Sequence, residues 1–329
     1  MPIDRRAFLG TLGLGCVAAS AVAACSSSTE SSAAQTPGSP EEPGPPVVND
    51  KGITDGYVRV DEELVIHYQT AGSGQTAIVF VPGWVMSTDV FEHQLAHFAN
   101  SDQFTAITYD PRAQGRSTVT IEGHFYEQRA RDLQALLNKL GVGEYILVGW
   151  SAGGGDVLEH VRLFGHDNLK GLVLLDTPPK VRGYDYTTEW LWFGTKDNGD
   201  QDGQMKYYSY DSLIDRDRVN TEFAQWMLDD ASPEKVQFLV DIANRTPNSI
   251  ASLLNSSYWY LDNTAQIVEL NGTVPLFFFT REETGELAAA WARTNAPQAR
   301  VQSYGKHVMF WEHPDVFNRG MDSFLSVNA

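Results

Sequence analysis

The chain has 329 residues, with 42 Asp and Glu against 24 Lys and Arg and a formal net charge of −18. A surface this acidic repels nucleic acid and anionic lipid, which argues against both as ligands. The two cysteines, Cys16 and Cys25, both precede Ser26, so the rest of the chain has no disulfide and must be held by its core.

The first element is a leader. Asp4–Gly10, "DRRAFLG", sets two arginines ahead of a modestly apolar run from Ala7 to Ala24 that is rich in Gly, Ala and Ser. It is identified as a twin-arginine export signal. "VAAC" at Val22–Cys25, followed by serines, resembles a bacterial lipoprotein box with Cys25 as the lipidated residue. Cys16 fits less well, because Gly13 stands three residues before it. Residues 25–51 are Ser, Pro, Glu and Gly with little to bury, which predicts a disordered tether. The expected organisation is a signal peptide over 1–24, the tether, and one domain over 52–329 on the extracytoplasmic face of the membrane.

Beyond the tether, "LVIHYQTAG" (64–72) alternates as an edge or antiparallel strand would. The runs at 76–83, 104–110, 144–150, 169–176 and 274–280 are continuously apolar, as in strands buried on both faces of a parallel sheet. Between them, Ala130, Leu133, Leu136, Leu137 and Leu140 share one face of a predicted helix over 126–141, with Gly141 as its stop. Further helices are expected after Ser151 and over 286–297. This alternation predicts an α/β fold with a mostly parallel, doubly wound sheet. From about 178 to 271 no buried-strand run occurs, and aromatics such as Trp190, Trp192, Tyr208 and Trp226 sit among helix-like segments. That stretch is expected to be a helical cap.

"VGWSAGGG" (148–155) ends a strand at Trp150 and begins a helix after Ser151, with Gly149 and Gly153 flanking the serine. A turn this tight strains the serine's backbone, lifts its hydroxyl above the sheet and sets it at a helix N-terminus. From here the chain resembles the α/β-hydrolase family. "YQTAGSG" with "IVFVPGW" matches that family's second and third strands, and "YDPRAQGRS" (109–117) resembles its D-x-R-G-x-G-x-S turn, with Ala113 at the usual glycine. The resemblance implies an oxyanion hole from the backbone amides of Trp84 and Ala152. Asp110 and Arg112 are expected to be a structural pair shaping their loop.

Serine needs a base near neutral pH, and imidazole titrates in that range. His307, in a loop after a predicted strand at "ARVQS", stands where the family presents its histidine; His313 is the rival. His93, His97, His124, His160 and His166 are expected on helix surfaces or loops without metal-ligand spacing, and neither a metal nor a cofactor is expected. The histidine in turn needs a carboxylate. Most family members place it in the loop after "VPLFFFT", but in register from Pro275 the catalytic position is Thr284. Glu283 is one residue short and Glu282 takes the first acidic position. Some branches, including a group of haloalkane dehalogenases and the resorcylic lactone hydrolases, carry the acid at the preceding strand end, where this chain has Asp176. Asp176 is the preferred acid, with Glu283 and then Glu282 in reserve.

The expectation is an exported, lipid-anchored serine hydrolase acting on an ester, lactone or similar acyl bond of a small apolar or aromatic molecule. Serine rather than aspartate at the elbow argues against epoxide hydrolase or dehalogenase chemistry. Cofactor-free peracid formation, carbon–carbon hydrolysis with the same triad, and a non-catalytic ligand-binding protein stay open.

Overall fold

The apolar runs become strands. A computed structural model describes residues 43–185, 187–193 and 201–328, so the signal segment, Cys25 and most of the expected tether lie outside the described residues. The strands are β1 (Val47–Val48), β2 (Ile53–Arg59), β3 (Val65–Gly72), β4 (Thr76–Val81), β5 (Phe104–Tyr109), β6 (Glu144–Trp150), β7 (Leu169–Leu175), β8 (Lys180–Arg182), β9 (Leu191–Phe193), β10 (Leu276–Thr280) and β11 (Arg300–Ser303). Nine of them form one sheet in the order β1-β2-β3-β5-β4-β6-β7-β10-β11. β1, β2, β3 and β5 pair antiparallel in succession; from β5 to β11 every pairing is parallel.

The helices are α1 (Glu92–Phe98), α2 (Tyr126–Leu140), α3 (Ala152–Phe164), α4 (Gln201–Met205), α5 (Ser212–Ile214), α6 (Arg216–Met227), α7 (Pro233–Ala243), α8 (Asn248–Tyr258), α9 (Thr264–Leu270), α10 (Gly285–Asn295), α11 (Met309–Glu312) and α12 (Pro314–Asn328). α2 ends where glycine allows it: Gly141 caps it in the left-handed region at φ 70°.

The central strands β4, β6, β7 and β10 are buried on both faces, as their continuous apolar runs require. In β10, Phe277 and Phe279 enter one core while Phe278 enters the other; in β4, Ile78 and Phe80 oppose Ala77, Val79 and Val81. Full burial of each Val, Ile or Phe among them is worth about 2 kcal/mol, so the strands anchor the fold.

Three expectations are modified. β1 lies inside the stretch expected as tether and pairs with β2 of the domain. β3 is antiparallel but interior, between β2 and β5. The cap opens with β8 and β9, a short parallel pair, before its helices α4 to α9. Three-residue strands such as "KVR" leave too little pattern to be read from sequence.

Candidate active site

The strand order reverses around β4, and the carboxyl ends of the parallel strands line one edge there, the position where open α/β sheets hold ligands. Ser151 follows β6 directly, with φ 55° and ψ −125°, a region rarely populated outside glycine. Its amide donates to the Leu175 carbonyl at 2.9 Å, which ties the elbow to the end of β7. The flanking glycines are dictated by contact. A Cβ on Gly149 would lie 2.7 Å from the Gly153 carbonyl oxygen, and one on Gly153 would strike the Val81 carbonyl.

As the first residue of α3, Ala152 has an amide with no intrahelical acceptor. Trp84 lies just past β4, beside Gly83, whose added Cβ would come 3.0 Å from Ser151 Cβ. Among the described residues its amide enters no turn or sheet bond, so both expected oxyanion donors stand near the serine with their N–H groups uncommitted.

Asp176 follows β7 in another strained conformation, φ 43°, with its amide donating to Phe279 O at 2.6 Å. Its Oδ2 lies 2.6 Å from His307 Nδ1, and both side chains are buried. Of the candidate carboxylates, Asp176 is the one the structure brings to His307. Glu282 and Glu283 occupy a 3-10 turn after β10, with the Glu283 side chain 78% exposed and 3.5 Å from Arg281 Nε. His313 caps α11 at the surface, paired with Asp229 at 2.8 Å. Burial opposes ionisation of Asp176, but the Arg281 charge and the bond from His307 outweigh it and hold the carboxyl down at about 2. Burial lowers the His307 pKa, against the pull of Asp176. The resting pair is therefore a carboxylate beside a neutral imidazole.

Ser151, Ala152, Trp84 and His307 line one cavity of about 250 Å³. The cap closes it. Tyr208, in a π-helical turn (Lys206–Asp211), reaches the cavity with Phe223 and Trp226 of α6, and α8 contributes Asn255 and Tyr258. π-Helical turns recur at functional sites because they re-aim side chains. The His307 ring is enclosed by Trp150, Trp192 and Trp226 at 5.2, 5.3 and 4.9 Å between centroids.

The α/β-hydrolase-fold family profile matches residues 76–198. A crystal structure of a bromoperoxidase from Bacillus anthracis superposes with a TM-score of 0.71 at 22% identity, over 83% of this chain and 99% of that one. The chain has the α/β-hydrolase fold. A bifunctional esterase/perhydrolase of Acinetobacter calcoaceticus is 32% identical over 127 residues, 38% of this chain and 46% of that protein. A non-heme chloroperoxidase of Kitasatospora aureofaciens is 28% identical over 204 residues, 62% of this chain and 66% of that protein. The chain thus spans about half the length of the esterase/perhydrolase.

Several residues that hold this site together were not singled out from sequence. Trp150 Nε1 donates to the His307 carbonyl at 2.9 Å, so the residue before the elbow fixes the histidine loop. Gln114 donates to the carbonyls of Gly83 and Met86, at 3.1 and 2.6 Å, and accepts from Arg129, which forms a bidentate pair with Asp156 of α3. This chain of bonds couples the elbow helix to the Trp84 loop. Arg281 grips Asp176 from the end of β10.

Asp110 and Arg112 are not paired with each other. Asp110 accepts from Thr88 N and lies 2.9 Å from His67 Nδ1, while Arg112 makes a bidentate bond to Asp132. Two histidines expected on loops or helix surfaces, His124 and His160, are buried; His160 meets Gln134 where α2 packs on α3.

Proposed function

We propose that the protein is an exported, lipid-anchored serine hydrolase that cleaves an ester, lactone or similar acyl bond through an acyl-enzyme. The observation that carries this is the strained Ser151 at a helix N-terminus in the same cavity as a His307 whose Nδ1 is committed to Asp176. Ser151 Oγ attacks the carbonyl carbon while His307 Nε2 takes its proton. The oxyanion is held by the amides of Trp84 and Ala152. The bond to the leaving oxygen breaks as the imidazolium returns the proton to it. Water then adds to the acyl-enzyme with His307 again as base, releasing the acid and restoring the serine. Asp176 stays ionised throughout and stabilises the imidazolium.

The substrate is a compact apolar or aromatic molecule. Trp84, Trp192, Tyr208, Phe223 and Trp226 supply the apolar wall, while Asn255 and Tyr258 supply hydrogen bonds. Arg5, Arg6 and Cys25 support twin-arginine export and acylation, and the acidic domain argues for attachment through the lipid alone. Incorporation of labelled palmitate that is lost in Cys25→Ala checks the anchor.

The relative with both esterase and perhydrolase activities favours a second use of the same acyl-enzyme, in which hydrogen peroxide replaces water and the product is a peracid. Peracid yield against acid yield at increasing peroxide separates the two. For either chemistry, a fluorophosphonate must label Ser151 of the folded protein and spare Ser151→Ala. An unlabelled wild type would overturn both. Nitrophenyl esters of increasing acyl length, set against a few lactones, then define the substrate.

A further inference from the structure

We propose that Arg281 is the positioning residue of the triad acid, clamping both oxygens of Asp176 and balancing its charge. This rests on the serine-hydrolase reading above. The guanidinium Nη1 lies 2.9 Å from Asp176 Oδ2, and the Arg281 backbone amide donates to Oδ1 at 3.3 Å. His307 Nδ1 meets the same Oδ2 at 2.6 Å, so imidazole and guanidinium share one carboxylate oxygen. The loop after β10 therefore supplies a cation to a carboxylate that stands one strand away.

Arg281 is itself fixed. Its Cζ stands 5.1 Å from the Trp192 ring and 5.5 Å from the Trp226 ring, and its side chain is 13% exposed. Two indole faces and a buried carboxylate leave a long side chain little freedom. Asp176 in turn sits at a positive φ that few non-glycine residues adopt, a strain that persists only where surrounding contacts over-determine it.

The charge balance has a chemical consequence. Asp176 is 1% exposed, so water cannot solvate its charge. Without a balancing cation its charge would pull harder on a proton at His307 and raise the pH at which the base becomes free. Burial already holds His307 unprotonated, and Arg281, by neutralising the carboxylate, weakens the pull from Asp176 that opposes it. The other titratable groups around the site do not replace this cation. Tyr208 and Tyr258, on the cap side, are pushed up by burial and stay neutral. Lys306 turns away to the Leu228 carbonyl, and Glu283 is an exposed acid beside Arg281 Nε.

The test follows the rate of fluorophosphonate labelling of Ser151 against pH, which needs no knowledge of the substrate. Arg281→Met, with its fold checked by circular dichroism, is expected to move the pH of half-maximal labelling upward by about one unit. The plateau rate falls on the order of tenfold to a hundredfold. Arg281→Lys returns the midpoint towards wild type while recovering only part of the rate, because an ammonium restores the charge without the planar fork. Arg281→Gln takes the place of the methionine variant if that one does not fold. An unchanged or lowered midpoint in the folded neutral variant overturns the proposal, since a merely displaced acid would leave His307 less basic. A wild type that does not label at all instead overturns the hydrolase reading.

Discussion

Two buried His–Asp pairs stand among the described residues, and one of them lines the cavity that holds Ser151. His307 Nδ1 meets Asp176 at 2.6 Å, and His67 Nδ1 meets Asp110 at 2.9 Å. Both imidazoles are almost fully buried. They differ in the second nitrogen. His67 Nε2 lies 3.1 Å from Asp55, so that ring bridges two carboxylates and links β2 and β3 to the loop after β5. Among the described residues, the His307 ring is bonded through Nδ1 alone, leaving Nε2 for the cavity that Ser151 shares. A buried His–Asp pair is thus a brace when both ring nitrogens are used, and a base when one is kept for a reacting proton.

The widest separation between the pairs comes from removing each acid's charge. Asp176→Asn is expected to lower kcat on the order of 10³- to 10⁴-fold, because an amide cannot hold the required tautomer or stabilise the imidazolium. Asp110→Asn is expected to leave kcat near wild type while lowering unfolding free energy by about 1–3 kcal/mol, since it removes a buried carboxylate that accepts from the backbone amides of Thr88 and Arg116 and meets His67. Turnover and urea denaturation of both variants check this. Equal losses of kcat would erase the distinction between brace and base.

Much of this was legible in the sequence, for a physical reason. Strands buried on both faces leave continuous apolar runs, and an elbow that tolerates no Cβ leaves glycines at fixed offsets, so the sheet and the place of Ser151 at the elbow could be read directly. The register from Pro275, which put Thr284 where an acid is usual, also pointed back to Asp176. What could not be read depends on side chains meeting across the sheet. His67 and Asp110 stand 43 residues apart, and Asp176 and Arg281 stand 105 apart. No local pattern links them. Asp110 and Arg112 show the converse error, being neighbours in sequence with different partners in space. Arg281 did carry one usable signal: a cation immediately after a buried strand, on the same sheet edge as the candidate acid.

The pH dependence sharpens the comparison at intermediate scale. In the proposed mechanism His307 must be unprotonated to act, and burial holds its pKa below the ordinary 6.5. The acid limb of kcat/KM is therefore expected below pH 6.5, and His67→Gln should leave it in place. Stability follows a different window. A carboxyl lowered in the folded state contributes stability that is present above its unfolded pKa and is lost as pH falls through the folded value. For Asp176 that window runs from about 4 down to about 2. Thermal melts between those limits should lose less ground in Asp176→Asn than in wild type.

The smallest effect belongs to the glutamate that first invites attention. Glu283 lines the cavity rim, but its side chain is 78% exposed and 3.5 Å from Arg281 Nε. An exposed pair at that distance is worth about 0–1 kcal/mol and is screened by salt. Glu283→Gln is therefore expected to change kcat by less than about twofold, with the acid limb of the pH profile unmoved. The same substitution at the residue that holds His307 would cost orders of magnitude, so the size of the loss alone discriminates. A large loss at Glu283 would mean that the loop after β10 swings inward during turnover and that the Asp176 contact belongs to a resting state. A negligible one leaves that loop contributing its cation, Arg281, rather than its acids.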